Sequence, residues 1–210
     1  MTRILVFGDS IAWGAWDIGG GWVQHLSTYL MERILKNPND YYCVFNLSVS
    51  GDTSKEIVKR FDFEAKYTIS KEQETIIIFA FGINDPSFTE SLDKPLVSEK
   101  KFVQNITLLY RQAKKYTSKI IFVGPTPVYE PKTNPWFKGM FFSNKTIKKY
   151  DDLIRNFCSE KRVNYIGLFR KFKNLNLEIY IEDGLHPNSK GHELIFEIVK
   201  QELEKNKIIY

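Results

Sequence analysis

The chain has 210 residues, of which 43% are hydrophobic and 26% charged, and it carries a net charge of +5. This composition excludes a disordered chain, and the length fits a single domain over residues 1–210 with one substantial core. Because the lysines are interleaved with acidic residues and form no basic stripe with stacking aromatics, we expect no nucleic-acid partner.

No targeting segment is expected from the first residues. Met1-Thr2-Arg3 run directly into an apolar strand pattern, which is not the pattern of a signal peptide, and no apolar stretch is long enough to cross a bilayer. We therefore expect a cytoplasmic or mature protein without stable membrane insertion. Two cysteines, Cys43 and Cys158, give no disulfide framework, so both are expected to be reduced.

Short apolar runs alternate along the chain with longer segments of helical period. Strands are predicted at residues 3–7, 42–47, 75–81, 119–123 and 163–167. Residues 76–81 and 120–123 are continuously apolar, which is typical of strands covered on both faces by helices. The pattern therefore predicts a parallel sheet.

Helices are predicted between the strands, at residues 22–35, 54–61, 99–116, 144–161 and 189–205. Alternating strands and helices with right-handed crossovers predict an α/β fold, a three-layer α/β/α sandwich. In such sheets, ligands bind beyond the carboxyl ends of the strands. Ser10, Gly51 and Asn84 each follow a predicted strand and are expected at that edge.

One pair of segments offers the parts of a nucleophilic site. A serine needs an imidazole to take its proton and a carboxylate to orient that imidazole. Ser10 follows the first strand, and Asp183-Gly184-Leu185-His186-Pro187 places a carboxylate and an imidazole on one short loop. We predict Ser10 as the nucleophile, His186 as its base and Asp183 as the orienting acid. Taken alone, Ser10 is also compatible with a simple turn cap, and Asp183 with a structural ion pair.

Acyl transfer also needs donors for the oxygen that becomes negatively charged. The backbone N–H of Gly51 can approach a substrate without side-chain hindrance, and the side-chain amide of Asn84 supplies a second donor. With the Ser10 N–H, these groups predict a three-donor oxyanion hole. The alternative is that Gly51 and Gly82 are turn glycines only.

These segments, in this order, resemble the four blocks of the SGNH hydrolases, also called GDSL esterases and lipases. Gly8-Asp9-Ser10-Ile11 resembles the first block, with Ile11 where the family name GDSL has leucine. Gly51 resembles the glycine of the second block. Gly82-Ile83-Asn84-Asp85 is similar to the third block, and residues 183–187 resemble the last. The resemblance implies a flavodoxin-like five-stranded parallel sheet in the order 2-1-3-4-5. It also implies hydrolysis without a metal or organic cofactor.

Three further residues are interpreted as structural. Asp85 is expected to hold the loop that presents Asn84. His25 and His192 lie on predicted helices away from the functional edge, and neither completes a metal-ligand spacing.

Substrate contacts are predicted from aromatic residues near the four blocks. Residues 125–142 are long for a connection and rich in aromatics, which fits a lid, an acyl-group wall, or an irregular loop packing its own side chains. Aromatic walls suit acyl or aryl groups and also stack on sugars. The predicted substrate-binding residues are Trp13, Trp16, Phe88, Tyr129 and Trp136.

The sequence thus predicts a serine esterase that cleaves carboxylic esters with short acyl or acetyl groups, through an acyl-enzyme on Ser10. One alternative is an acyltransferase with a sugar or alcohol acceptor. Another is a non-catalytic flavodoxin-like binding module such as a flavin carrier. A flavin carrier should have a loop rich in Ser, Thr and Gly after its first strand, whereas residues 11–16 read Ile-Ala-Trp-Gly-Ala-Trp.

Overall fold

A computed structural model describes residues 1–89 and 94–209. The strands in these ranges are β1 (Thr2–Gly8), β2 (Tyr42–Asn46), β3 (Glu74–Ala80), β4 (Phe88–Thr89), β5 (Lys119–Val123), β6 (Met140–Phe141) and β7 (Asn164–Ile166). The main sheet has the order β2-β1-β3-β5-β7, and every neighbouring pair in it is parallel. This confirms the predicted five-stranded sheet with flavodoxin-like order.

The helices of the described residues are α1 (Ser10–Trp13), α2 (Gly21–Lys36), α3 (Ser54–Thr68), α4 (Glu99–Ala113), α5 (Asn144–Lys161), α6 (Leu168–Phe172) and α7 (Ser189–Lys205). They cover both faces of the main sheet. In β1, Ile4 and Val6 pack into one core cluster with Leu26 of α2. Leu5 and Phe7 pack into a second cluster on the opposite face. Successive strand residues point to opposite faces, so both layers of helices bury apolar strand side chains.

Helix α3 is longer than the sequence pattern indicated. It was predicted over residues 54–61, but it continues to Thr68. Ile57, Phe61 and Ala65 repeat every four residues and are all fully buried, so the apolar stripe runs past residue 61. A capping box between Thr53 and Glu56 fixes the start of the helix.

The segment 125–142 has local structure that its sequence did not predict. It contains two short 3-10 turns, at Glu130–Lys132 and Phe137–Gly139, and strand β6, which pairs antiparallel with β4. The rings of Phe88 and Phe141 stack across this pair with centroids 5.2 Å apart. Strands of two residues are too short to show a periodicity, so only the tertiary contact reveals them.

Within residues 1–89 and 94–209, no helix combines the length and the apolar character needed to cross a membrane. The same ranges hold no group of three or more His, Cys, Asp or Glu side chains placed to bind a metal ion. Cys43 and Cys158 are free thiols. Burial raises the pKa of Cys158 to about 12, so this thiol stays protonated.

Candidate active site

Ser10, His186 and Asp183 form one chain of hydrogen bonds. The Ser10 Oγ lies 2.8 Å from His186 Nε2, and His186 Nδ1 lies 2.8 Å from Asp183 Oδ2. Ser10 and His186 are 4% and 6% exposed, so the chain is largely shielded from water. With an ionised Asp183, Nδ1 carries the proton and Nε2 is left as the acceptor for the serine hydroxyl.

The Asp183 carboxylate also shapes the turn that carries His186. Its Oδ1 accepts from the backbone N–H groups of Leu185, at 3.0 Å, and His186, at 2.8 Å. Gly184, which directly follows Asp183, has φ +94°, and a Cβ there would lie 2.5 Å from Lys132 Cβ. The turn therefore requires glycine at this position. One carboxylate therefore fixes both the backbone and the ring of the histidine.

Electrostatics keep Asp183 ionised. Partial burial acts to raise the pKa of Asp183. Hydrogen bonds from the His186 ring, the His186 backbone and the Trp16 side chain lower it, as does the electrostatic attraction to His186, and together they outweigh the effect of burial. The pKa of Asp183 is therefore held well below its usual range. An acid that remains a carboxylate can hold the imidazole in one tautomer and stabilise the imidazolium.

The three predicted oxyanion donors follow three adjacent strands. Ser10 follows β1, Gly51 follows β2 and Asn84 follows β3, and β1 lies between the other two strands. Asn84 Nδ2 donates to the carbonyl of Asp52 at 2.9 Å, which joins the third loop to the residue after Gly51. The amide has a second hydrogen available for a ligand.

The backbone donors are also suitably placed. Ser10 is the first residue of α1, where a helical N–H has no acceptor within the helix. Gly51 has φ +85°, and a Cβ on it would meet no atom within 4 Å. The space in front of Gly51 is therefore open to a substrate, while its backbone conformation favours glycine.

Asp85 ties the Asn84 loop to helix α3. Its carboxylate accepts from the Ser54 N–H at 3.0 and 3.1 Å and from the Ser54 hydroxyl, and Asn105 Nδ2 donates to that hydroxyl oxygen at 2.8 Å. Burial raises the pKa of Asp85 to about 7, against the lowering effect of the Ser54 hydrogen bonds. Asp85 thus anchors the loop that carries Asn84 to the start of α3.

A cavity of about 550 Å³ opens beside the triad. It is lined by Trp13, Ala15, Trp16, Ser50, Trp136, Phe137, Asp183 and His186. The rings of Trp16 and Trp136 meet the His186 ring edge to face, with centroids 5.5 and 5.6 Å away. The imidazole of His186 thus contacts the indoles of Trp16 and Trp136 at the wall of an aromatic cavity.

The predicted substrate-binding residues separate into two groups. Trp13, Trp16 and Trp136 line the cavity beside His186. Phe88 instead lines a different cavity of about 230 Å³. The Tyr129 hydroxyl donates to Glu178, and Tyr129 is not among the residues that line the cavity beside His186.

Tyr129 nevertheless supports the turn that carries the histidine. Its backbone N–H donates to the carbonyl of Gly184 at 2.8 Å. The backbone of Tyr129 therefore braces the Asp183–His186 turn, while its hydroxyl pairs with Glu178.

Three lining residues were not among the predicted site residues: Ala15, Ser50 and Phe137. Ser50 directly precedes Gly51, and Phe137 directly follows Trp136, so neighbours of the predicted residues were the available signal. Ala15 has a small apolar side chain and gives no sequence signal of its own.

His192 is closer to the site than its position on a helix indicated. It is fully buried in α7, and its Nε2 lies 2.9 Å from the carbonyl of Ala15, a residue of the cavity wall. Its Nδ1 accepts from the Trp22 N–H at 3.3 Å. Burial lowers the pKa of His192, so the ring is neutral and donates from Nε2. Its role is structural, as predicted, but it supports the wall of the cavity.

A serine, a histidine and an aspartate joined by hydrogen bonds at the carboxyl edge of a parallel sheet of this order are typical of a hydrolase with a serine nucleophile. The sequence matches the GDSL-like Lipase/Acylhydrolase family over residues 6–194, and the chain belongs to this family. The protein is accordingly a hydrolase that acts on ester bonds, and the alternative of a non-catalytic binding module is set aside.

Individual relatives are distant in sequence and somewhat longer than this chain. The chain is 24% identical to an isoamyl acetate-hydrolyzing esterase 1 homolog from Bos taurus and 22% identical to the one from Homo sapiens. Each alignment covers 97% of this chain and 82% of the relative.

Solved structures show the same fold. A lipase/acylhydrolase from Enterococcus faecalis superposes with a TM-score of 0.74 at 21% identity, over 98% of this chain and 97% of the other. An acetyl xylan esterase from Geobacillus stearothermophilus gives a TM-score of 0.72 at 18% identity, over 96% and 94%.

Proposed function

We propose that the protein is a serine esterase that cleaves short-chain carboxylic esters through an acyl-enzyme on Ser10. The observation that carries this proposal is the unbroken chain of two 2.8 Å contacts from Ser10 Oγ through His186 to Asp183. A structural ion pair between Asp183 and His186 needs no serine at the far ring nitrogen, whereas nucleophilic catalysis does.

In the first half of the reaction, Ser10 Oγ attacks the ester carbonyl carbon, and its proton passes to His186 Nε2. The carbonyl oxygen becomes an oxyanion, which the Ser10 and Gly51 N–H groups and the Asn84 amide would stabilise. The intermediate then collapses: the bond to the alcohol oxygen breaks, and His186 Nε2 returns its proton to that oxygen. The alcohol leaves, and the acyl group remains on Ser10.

In the second half, water replaces the alcohol. His186 Nε2 takes a proton from the attacking water, the same donors hold the second oxyanion, and Ser10 Oγ regains the proton as the acid leaves. Asp183 keeps its negative charge throughout and stabilises the imidazolium that forms twice in each cycle.

The short acyl group is proposed from the relatives. Both curated relatives are named for the hydrolysis of isoamyl acetate, and each alignment covers 97% of this chain. Acetate esters are therefore the first substrates to test, with a small-molecule ester as the only partner that the mechanism requires.

We expect hydrolysis of p-nitrophenyl esters to be fastest with acetate and to decline toward palmitate. Acid quenching during acetate turnover should reveal, by peptide mass spectrometry, an acetyl group on Ser10. A preference for palmitate would contradict the short acyl group.

With ethanol added as acceptor, ethyl acetate formed in place of acetate would show acyl transfer instead of hydrolysis.

Replacing Asn84 by alanine should lower kcat by about 10²- to 10³-fold, because the lost donor acts mainly on the oxyanion of the transition state. Steady-state kinetics with p-nitrophenyl acetate would measure this change, with Asn39→Ala in an exposed turn as the matched control. An increase in KM at unchanged kcat would contradict the oxyanion role and indicate ground-state binding.

A further inference from the structure

Serine esterase chemistry gives the two halves of an ester different places. His186 Nε2 must return its proton to the alcohol oxygen, so that oxygen has to lie within hydrogen-bond reach of Nε2. The carbonyl oxygen must instead face the proposed donors, the N–H groups of Ser10 and Gly51 and the amide of Asn84. The alcohol portion of the ester therefore extends from the imidazole side of Ser10.

The aromatic cavity borders the imidazole of His186. His186 and Asp183 are part of its wall, and Trp16 and Trp136 contact the imidazole ring directly. Phe137 continues this surface outward, with its ring centroid 5.9 Å from that of Trp136. A group attached to the leaving oxygen would meet these rings first.

We propose that this cavity binds the alcohol portion of the substrate and that this portion is apolar, a branched alkyl or an aryl group. The inference rests on the acyl-enzyme mechanism proposed above, because that mechanism decides which half of the ester lies beside His186. The cavity of about 550 Å³ falls within the usual range for small-molecule sites.

The wall chemistry favours an apolar group over a sugar. Of the eight described residues that line the cavity, four are aromatic, one is alanine, and Ser50 carries the only hydroxyl. The Asp183 carboxylate already accepts from Leu185 N–H, His186 N–H and the imidazole. A pyranose has several hydroxyl groups, and each one that is desolvated without a partner opposes binding.

Phe137 offers a way to test this site without disturbing the core. It lies on a tight turn in which Trp136 N–H donates to the Met140 carbonyl at 2.6 Å and Gly139 N–H donates to the Trp136 carbonyl at 3.2 Å. Backbone hydrogen bonds thus hold the turn, and the Phe137 side chain is 66% exposed. Truncating this ring removes cavity wall and little packing.

The experiment compares two ester series. Acetates of methanol, propanol, butanol, isoamyl alcohol and benzyl alcohol vary the alcohol, whereas methyl esters from acetate to hexanoate vary the acyl group. In the wild type, kcat/KM should rise in the alcohol series by about two- to fourfold for each methylene that enters the cavity. The acyl series should show no such rise.

Phe137→Ala should flatten the rise in the alcohol series and leave the order of the acyl series as in the wild type. Phe63→Ala, on an α3 side chain that is 69% exposed and outside the cavity wall, is the matched control and should leave both series unchanged. If Phe137→Ala changes the acyl series and not the alcohol series, the cavity holds the acyl group and the proposal is wrong.

A polar leaving group is tested with cyclohexyl acetate against a monoacetylated methyl xyloside of similar ring size. The proposal expects cyclohexyl acetate to be preferred at least tenfold in kcat/KM, and a preference for the xyloside would overturn it. Parallel assays of Ser10→Ala separate the two proposals. Activity that persists in Ser10→Ala refutes the acyl-enzyme. If Ser10→Ala is inactive but the wild type shows no preference among the alcohols, only the assignment of the cavity is refuted.

Discussion

Replacing Ser10 by alanine is expected to lower kcat/KM for p-nitrophenyl acetate by about 10⁴- to 10⁶-fold. The change removes the oxygen that attacks the carbonyl and the proton that His186 accepts, so neither half of the reaction can pass through an acyl-enzyme. The donors at Gly51 and Asn84 remain, and residual catalysis by bound water is expected to set the lower limit. Initial rates at several enzyme concentrations would measure the loss.

The Ser10→Ala protein should fold normally. The Ser10 side chain is small and its hydroxyl is hydrogen-bonded to His186, so the thermal unfolding midpoint of the variant should stay within a few degrees of the wild type. Ser159→Ala, an exposed position on α5, is the matched control for activity. Near-normal hydrolysis by a folded Ser10→Ala protein would refute the proposed nucleophile.

Replacing Asp183 by asparagine is expected to lower kcat by about 10⁴-fold. Asparagine can still accept the N–H groups of Leu185 and His186 through its carbonyl oxygen, so the turn should survive. Its amide N–H would face His186 Nδ1 and move the ring proton to Nε2, which then has no lone pair for the Ser10 proton. The stabilising negative charge is lost as well.

Circular dichroism and steady-state kinetics of Asp183→Asn would test this result against Asp62→Asn. Asp62 lies on α3 in a surface pair with Lys115, so the control variant should keep near-normal activity and stability. Because the pKa of Asp183 is held well below its usual range, this carboxylate is ionised under the conditions of the assay. A variant that retains wild-type kcat at pH 8 would contradict an orienting role for Asp183.

Much of the fold could be predicted because its signals are local. The helices predicted over residues 144–161 and 189–205 have those bounds in the structure, since each has a side-chain cap at its start and a continuous apolar stripe. The continuously apolar strands β3 and β5 lie within the sheet with helices on both faces. Helix α3 was predicted too short, because Ala65, which follows Phe61 in the buried stripe, is a small residue with a weak apolar signal.

The candidate site divides in the same way. The Asp183–His186 turn depends on neighbours in sequence: one carboxylate accepts two backbone N–H groups and one ring N–H within four residues. Ser10 lies 176 residues from His186, and order along the sequence alone gives no distance between them. The parallel sheet brings them together, because the carboxyl ends of its strands meet at one edge.

The sequence by itself determined the apolar layers and the residue types of the proposed triad, and its resemblance to a known family implied the strand order. Only the tertiary structure decided which aromatic residues face His186. Trp136 and Phe137 reach the cavity through the tight turn before β6, whereas the Tyr129 hydroxyl pairs with Glu178 and Phe88 stacks on Phe141. An aromatic residue in a loop has no periodic pattern that fixes its direction, so long-range packing and backbone hydrogen bonds determine where its ring lies.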